Sequence, residues 1–455
     1  MSRTGFSATE TRAVVSLASL YMARMLGLFM LLPVLALYAR DLPGTTPVLV
    51  GLALGIYGLS QACLQLPLGI LSDRVGRKPV ILGGLVVFLV GSLVAAFADT
   101  IHGIIAGRAL QGAGAIASTL MALLADVTRE HNRSKAMAAI GASIGLSFAL
   151  SLIIGPPIAG WAGLQGLFLV IALLAGVGLL LTVYVVPTPV AAPHAVVRSR
   201  PLGELLRGAL ADRQLQRLDA GAFVLHFIMT AIFLAVPAVL ADTLGIARET
   251  HGRIYGLLLG TSFLLMAPLM VVAERRRRVK GFFIGAVALI ALSLAALAGA
   301  GDGRYAIFGA LWLFFLAFNF LEATLPSLLS RSTRRENRGT ASGIYSSFQF
   351  FGAFCGGSVG GWTLQHAGVP GVLALCAALA AAWVLWSLGM RGPEYLRSIT
   401  LSVDGDTPLA AVAAQLDGLP GVREVLVVAG ESIAYIQVDD HFDDDRLHGL
   451  PVRPV

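Results

Sequence analysis

Long apolar runs alternate with short polar stretches along this chain, and each run is long enough to cross a bilayer as a helix, which takes about 20 residues. The runs predict helices over about 13–38, 48–71, 79–98, 101–124, 135–157 and 164–186. After a polar stretch they resume over about 219–241, 252–272, 281–299, 304–329, 339–364 and 368–390. A membrane β-barrel would alternate apolar and polar positions every second residue, and these runs do not. The pattern therefore predicts an all-α membrane protein: twelve transmembrane helices in two pseudo-symmetric six-helix halves, 1–186 and 219–391, joined by a linker over 187–218. From about 395 the pattern turns soluble, with strands over 398–403, 422–428 and 433–438 and a helix over 408–416. That order predicts a small cytoplasmic α+β domain of ferredoxin-like type over 395–455, whose second helix and fourth strand are short or missing because Gly449, Pro451 and Pro454 break the end.

Composition agrees. Hydrophobic residues make up 56% of the 455 and charged residues 13%, more apolar than a soluble domain can bury. Basic loops stay on the cytoplasmic side of a membrane. With the N-terminus inside, Arg74, Arg77, Lys78, Arg129, Arg133, Lys135, Arg275 to Arg278 and Arg331 to Arg338 fall inside, whereas only Arg40, Arg248, Arg253 and Arg304 fall outside before residue 391. Both termini are thus expected in the cytoplasm, in a multi-pass cell (inner) membrane protein whose net charge of +7 reflects topology rather than nucleic-acid binding. The first run is long and lacks a small-residue cleavage site, so helix 1 is expected to stay in the mature protein. Cys63, Cys355 and Cys376 lie in predicted spans without metal-ligand spacing and read as packing residues. No cofactor or metal is expected.

The halves repeat one another. Thr128 to Arg133 after helix 4 is echoed by Thr333 to Arg338 after helix 10, and Ala159-Gly160-Trp161 by Gly360-Gly361-Trp362. Glu274-Arg275 stands where Asp73-Arg74 stands in the first half. Such parallel repeats place a substrate path between the halves. The linker, rich in Pro, Ala and Arg, is expected to carry a short amphipathic helix near 202–210.

Charges inside or beside the spans are the candidate chemistry. The stretch Gly69 to Pro79 confines Asp73, Arg74, Arg77 and Lys78 to a short loop turned by Gly76. Its bland reading is topology alone. Its sharper reading is a conformational latch: Asp73 at the N-terminus of helix 11 near Gly339 and Thr340, where unpaired N–H groups favour an anion, and Arg77 with Asp126. Both contacts would hold the halves together on the inside and favour the outward-open state. Arg24, Arg108 and Glu322 lie deepest in the spans, where a charge costs roughly 3 kcal/mol or more unless it faces a cavity or a partner. A carboxyl in a poorly hydrated cavity can exchange protons near neutral pH, which makes Glu322 the first candidate for proton coupling. The competing reading is a static Arg24–Glu322 pair. Arg108 would tune the proton carrier or only bond backbone carbonyls, and His226 ranks second for coupling. Phe29, Tyr57, Gln61, Gln65, Met229, Phe233 and Asn319 are candidate cavity lining. The prolines after Gly155 end helix 5 and permit a kink with close packing. In the tail, Asp439, Asp440, Asp443, Asp444 and Asp445 read as a solvated acid run or as a dock for basic loops.

Several of these motifs carry a resemblance. Gly69, Asp73, Arg74, Gly76, Arg77 and Lys78 match the loop between the second and third helices of the major facilitator superfamily. Arg108, Gln111, Gly112 and Gly114 resemble the helix 4 motif of its proton-coupled members, and Gly155, Pro156 and Gly160 the helix 5 motif of drug/proton antiporters. With its tail, and with RMLGLFMLLPVL in helix 1 and FNFLEATLPSLLS in helix 10, the chain resembles YajR-type transporters of that superfamily over essentially its whole length. The resemblance implies the same latch roles, a cavity lined by helices 1, 4, 7 and 10, and a helix 5 motif that seals a leak path against helix 8. The expected function is proton-coupled export of small hydrophobic or cationic compounds by alternating access, that is, drug/proton antiport. Two alternatives are a carrier of sugars or metabolites and a transport-inactive sensor read through the tail. No GxxxxGK[ST] loop and no catalytic constellation is present, so neither ATP hydrolysis nor enzyme activity is expected. The expected partners are a small-molecule substrate, protons and the lipid bilayer, with the chain acting as a monomer.

Overall fold

The computed structural model describes residues 6–187, 202–333, 338–393, 397–403, 409–428, 433–439, 442–447, 450 and 452–454. It forms two units, one of residues 1–273 and 280–390 and one of residues 274–279 and 391–455.

In the first half of the membrane unit, α1 (Ala8–Phe29) and α2 (Leu32–Tyr38) form the first crossing, broken where Pro33 removes a backbone donor. Then come α3 (Pro47–Val75) and α4 (Arg77–Ala96). The fourth crossing is split into α5 (Ile101–Ala113) and α6 (Ala117–Val127). The split lies against α4: a Cβ on Gly114 would stand 2.4 Å from the Gly84 carbonyl oxygen. α7 (Glu130–Tyr184) follows. After α8 (Leu202–Ala211), the second half contains α9 (Arg213–Ala238), α10 (His251–Arg275), α11 (Val279–Ala298), α12 (Arg304–Ser332) and α13 (Arg338–Leu388).

Ten segments among the described residues are long and apolar enough to span a membrane, two of them 50 residues long. At 1.5 Å per residue such a helix would reach about 75 Å, far beyond a bilayer core of about 30 Å. Each instead bends at one glycine, Gly163 (φ 64°, ψ −170°) and Gly368 (φ 65°, ψ −168°), a backbone conformation open to glycine alone, as a pair of shorter spans would. The described residues thus hold about ten to twelve candidate crossings. The helix 5 boundary differs from the sequence expectation: Pro156 and Pro157 do not end the helix, which runs through them to Gly163. In a packed membrane bundle, neighbouring helices relieve the carbonyls a proline leaves unpaired, and Gly155 brings this stretch against the Met30 carbonyl of the first crossing.

Arg74, Arg77, Lys78 and Arg129 mark one end of the bundle, the basic face; Arg40 and Arg248 mark the far face. The halves meet along α3 and α13, as far toward the basic face as Gly343, whose Cβ would lie 2.8 Å from the Leu66 side chain, and are tied by ion pairs at the far face. A Cβ on Gly51 of α3 would lie 2.1 Å from the Gly357 carbonyl oxygen of α13, and one on Gly252 of α10 would lie 2.3 Å from the Ile153 carbonyl oxygen of α7. α2 packs on α9. Arg40 pairs with Asp242 at 2.9 Å and Arg248 with Asp41 at 3.3 Å, both between halves. By contrast, α6, at the basic face, packs substantially only on α1, α3, α4 and α7 of its own half.

In the second unit, β1 (Arg397–Val403), β2 (Val422–Val428), β3 (Ile433–Val438) and β4 (Val452–Pro454) form one antiparallel sheet in the order β2-β3-β1-β4. Helix α14 (Leu409–Asp417) contributes Val412 and Leu416 to a core with Leu401, Val403, Ala434, Ile436 and Val438. The expected second helix is a single 3-10 turn over Asp444–Leu447, tied to β1 by an Arg397–Asp444 ion pair, and the fourth strand has three residues. Asp440, Gly449, Pro451, the linker over 188–201 and the Arg334 to Asn337 echo lie outside the described residues.

Candidate functional site

At the basic face, α3 must stop abruptly before α4 begins, and Gly76 at φ 101° makes that turn. The turn aims Arg77 inward. Its Nε donates to Asp126 Oδ2 at 3.0 Å and its Nη1 to Ser72 Oγ at 2.7 Å, so one guanidinium joins the ends of α3, α4 and α6. Arg74 is exposed and Lys78 half-buried beside it. Asp73 departs from expectation: its ion partner is Arg77, one turn along, rather than the start of helix 11 near Gly339 and Thr340. The halves are closed at the far face, and a Cβ on Gly339 would meet nothing within 4 Å.

Arg24 and Arg108 are both buried within the first half. Arg24 Nη2 donates to Gln61 Oε1 at 2.6 Å and to Tyr57 Oη at 3.2 Å, and Gln61 Nε2 passes the chain on to Gln65 Oε1 at 3.1 Å. The anticipated Arg24–Glu322 pair is not formed, because Arg24 points into the three-helix interior against Phe88. Arg108 Nε and Nη2 donate to the Ala53 and Leu54 carbonyls at 3.2 and 3.3 Å, and Nη1 to Gln111 Oε1 at 3.0 Å. Its cation also lies 4.9 Å from the Tyr57 ring centroid. These contacts use the guanidinium to bind α5 to α3. Tyr57, Gln61 and Gln65 serve these buried networks rather than an open cavity wall.

In the second half, His226 of α9 and Glu322 of α12 come together, with Nε2 to Oε2 at 3.6 Å. His226 Nδ1 lies 3.0 Å from the Ala222 carbonyl oxygen, an acceptor only, so Nδ1 carries a proton. Gln349 Nε2 of α13 stands 2.7 Å from His226 Nε2. Glu322 Oε2 accepts no hydrogen bond, and the side chain is 33% exposed. One turn farther from the basic face, Phe318 of α12 lies 5.5 Å from Phe148 of α7, which meets Phe29 at 5.1 Å. Among the remaining cavity candidates, Asn319 donates to Ser262 Oγ at 3.1 Å. Phe233 is buried with Tyr255 and Phe315, and Met229 is buried too, so neither lines open space. Cys376 is buried as expected of a packing residue, but Cys63 is exposed on α3.

Gln349 was absent from the sequence reading, since a lone glutamine in an apolar run carries no pairing signal. Glu10 was readable and missed: Ser7 and Glu10 have capping-box spacing. Glu10 closes that box on α1 and also accepts from the Arg129 N–H at 2.8 Å and Asn132 Nδ2 at 3.2 Å, anchoring the start of α7.

Two matching helical halves with buried charges in each have the build of a membrane transporter. A model of the Major Facilitator Superfamily matches residues 17–217 and again 218–418, one match per half, and the chain belongs to that family. It is 41% identical over 435 residues, 94% of each chain, to the inner membrane transport protein YajR of Escherichia coli K12. It is 28% identical over 215 residues, 46% of this chain and 54% of the relative, to the multidrug resistance protein MdtL of Shigella dysenteriae. The solved nucleoside transporter NupG (D323A mutant) shares the fold with a TM-score of 0.67 at 14% identity, covering 83% of this chain and 99% of that one.

Proposed function

We propose that this transporter works in the inner membrane, basic face inward, and exports small hydrophobic or cationic compounds in exchange for protons, with His226 and Glu322 as the proton-carrying pair. The observation that carries the reading is the His226–Glu322 contact at 3.6 Å with Gln349 on the same imidazole nitrogen. With Nδ1 protonated, a neutral ring offers Nε2 as an acceptor for the Gln349 N–H. A proton taken up at Nε2 makes that nitrogen a donor, so it turns to Glu322 Oε2 and the Gln349 amide must rotate or withdraw. One proton thereby changes which of α12 and α13 holds α9. The latch residues Gly69, Asp73, Arg74, Gly76, Arg77, Lys78 and Asp126 then act at the basic face when the halves rock shut there, while Arg24 and Arg108 keep the first half rigid. The efflux direction is supported by the Gly155-Pro156 to Gly160 motif packed near α10 and by the likeness to a multidrug resistance protein. The sheet order of the tail supports the ferredoxin-like reading of 395–455.

Proteoliposomes loaded with a pH-sensitive dye and driven with a panel of lipophilic cations test this reading. Substrate-dependent proton movement is expected in the wild type and is expected to vanish in Glu322→Gln. Equal flux in the two proteins overturns the assignment of the pair.

A further inference from the structure

At the basic face the end of α13 returns beside the start of α9, and the seam between them holds polar groups that the fold leaves without partners. Arg217 of α9 lies against the residue just after α13: a Cβ on Gly389 would stand 2.5 Å from its Nη2, so glycine at that position opens the slot the guanidinium fills. The cation lies 5.8 Å from the Trp386 ring centroid, and its Nε is buried and donates to nothing. One turn farther in, Trp383 is 2% exposed and its Nε1 also donates to nothing; a Cβ on Gly221 of α9 would lie 3.1 Å from that nitrogen. Ser387, one turn on from Trp383 along the same face of α13, is fully buried with its Oγ unpartnered. Buried donors without an acceptor are costly, and a seam that holds several calls for an acceptor-rich occupant.

The charge of that occupant follows from the neighbours. Among the described residues no carboxylate pairs with Arg217. Asp219, two residues on, is turned about 200° around α9 from it, and Asp212 spends Oδ1 on the Gln214 and Leu215 N–H groups. Arg213, one turn before Arg217, is exposed and adds a second positive charge. The outer wall of the slot is apolar: Leu385, Trp386 and Leu388 are 71%, 51% and 54% exposed at the end of a membrane span. Tryptophan beside arginine there marks the headgroup level of the bilayer.

We infer that this seam binds an anionic phospholipid, its headgroup phosphate held by the Arg217 guanidinium beside Trp386 and its acyl chains lying along Leu385 and Leu388. The planar guanidinium suits phosphate oxygens, and a basic pocket between transmembrane helices suits an anionic headgroup. A lipid rather than a soluble anion is the occupant because the slot opens onto the bilayer through its apolar wall.

The test uses full-length protein in detergent, stripped of lipid and then given phosphatidylglycerol, phosphatidylcholine with the same acyl chains, or inorganic phosphate. Native mass spectrometry reads what stays bound. The wild type is expected to retain phosphatidylglycerol several-fold more than phosphatidylcholine. Arg217→Gln is expected to lower that retention about tenfold or more, as loss of a charged hydrogen bond does, with Arg217→Lys in between. Gly389→Ala, whose added Cβ displaces Nη2 while keeping the charge, is expected to lower it too and decides the matter if Arg217→Gln does not fold. Equal retention of the two lipids, or retention unchanged in whichever variant folds, overturns the site. Inorganic phosphate that displaces phosphatidylglycerol at equal concentration overturns the lipid and makes the occupant a soluble anion.

Discussion

Phe148 of α7 and Phe318 of α12 face each other across the two halves, ring centroids 5.5 Å apart, one helical turn beyond Glu322 as seen from the basic face. Phe29 meets the same Phe148 at 5.1 Å edge to face, and Phe314 stacks on Phe318 at 6.1 Å. Four rings from three crossings thus lie between the polar pair and the far face. Aromatic contacts of this kind contribute about 0.5–1.5 kcal/mol each beyond simple burial, enough to seal a narrow path without locking it.

Phe148→Ala is therefore expected to open a leak. In dye-loaded liposomes without substrate, the variant should pass protons several-fold faster than the wild type, with Phe148→Leu between them, and should lose about 3 kcal/mol of stability from the cavity left behind. A leak rate equal to that of the wild type would show that the rings pack without sealing.

The far-face closure depends on glycine at the α3–α13 crossing, because a side chain on Gly51 would drive into the Gly357 carbonyl. Gly51→Val is expected to separate the halves there and favour the state open to the far face. Cysteines replacing Arg40 and Asp242, whose side chains now pair at 2.9 Å, give the readout. Their cross-linking yield should fall several-fold in the Gly51→Val background, since a shift of about 1 kcal/mol already changes a two-state ratio about fivefold. Undiminished cross-linking would place the closure elsewhere.

Arg77 and Asp126 form a half-exposed pair, with side chains 18% and 41% accessible. A double-mutant cycle of Arg77→Ala and Asp126→Ala, read by thermal unfolding in detergent, is expected to give a coupling of about 1 kcal/mol. Arg77→Lys should recover less than half of it, because one ammonium cannot reproduce the planar fork that reaches Asp126 and Ser72 together. Full recovery by lysine would reduce the contact to simple charge attraction.

Much of this was legible in the chain. Hydropathy alone located the long apolar spans because every backbone group in a bilayer must be bonded internally, which leaves helices as the form such runs can take. It misplaced the end of helix 5, since proline breaks a helix in water but is accommodated where neighbours such as Met30 press close. Arg24, Arg108 and Glu322 stood out by the cost of burying charge, and His226 as a titratable ring in a span, yet their partners did not. Arg24 was equally free on paper to meet Glu322 or Gln61, and only the rotation of its helix decided for Gln61. Gln349 gave no signal at all, because a single polar residue inside an apolar run looks the same whether it faces lipid, a cavity or a neighbouring helix.

The sequence by itself determined what is set by local composition: the crossings, the two matching halves, the turn at Gly76, the soluble βαββ tail and the family to which the chain belongs. The tertiary structure decided what depends on which helix faces come together. It placed His226 with Glu322 and Gln349, Asp73 with Arg77, and the ion pairs Arg40–Asp242 and Arg248–Asp41 between the halves at the far face. The reason is physical: crossing a membrane is a property of one helix and its solvent, whereas a charge pair or a closed face depends on the rotation and packing of several helices at once.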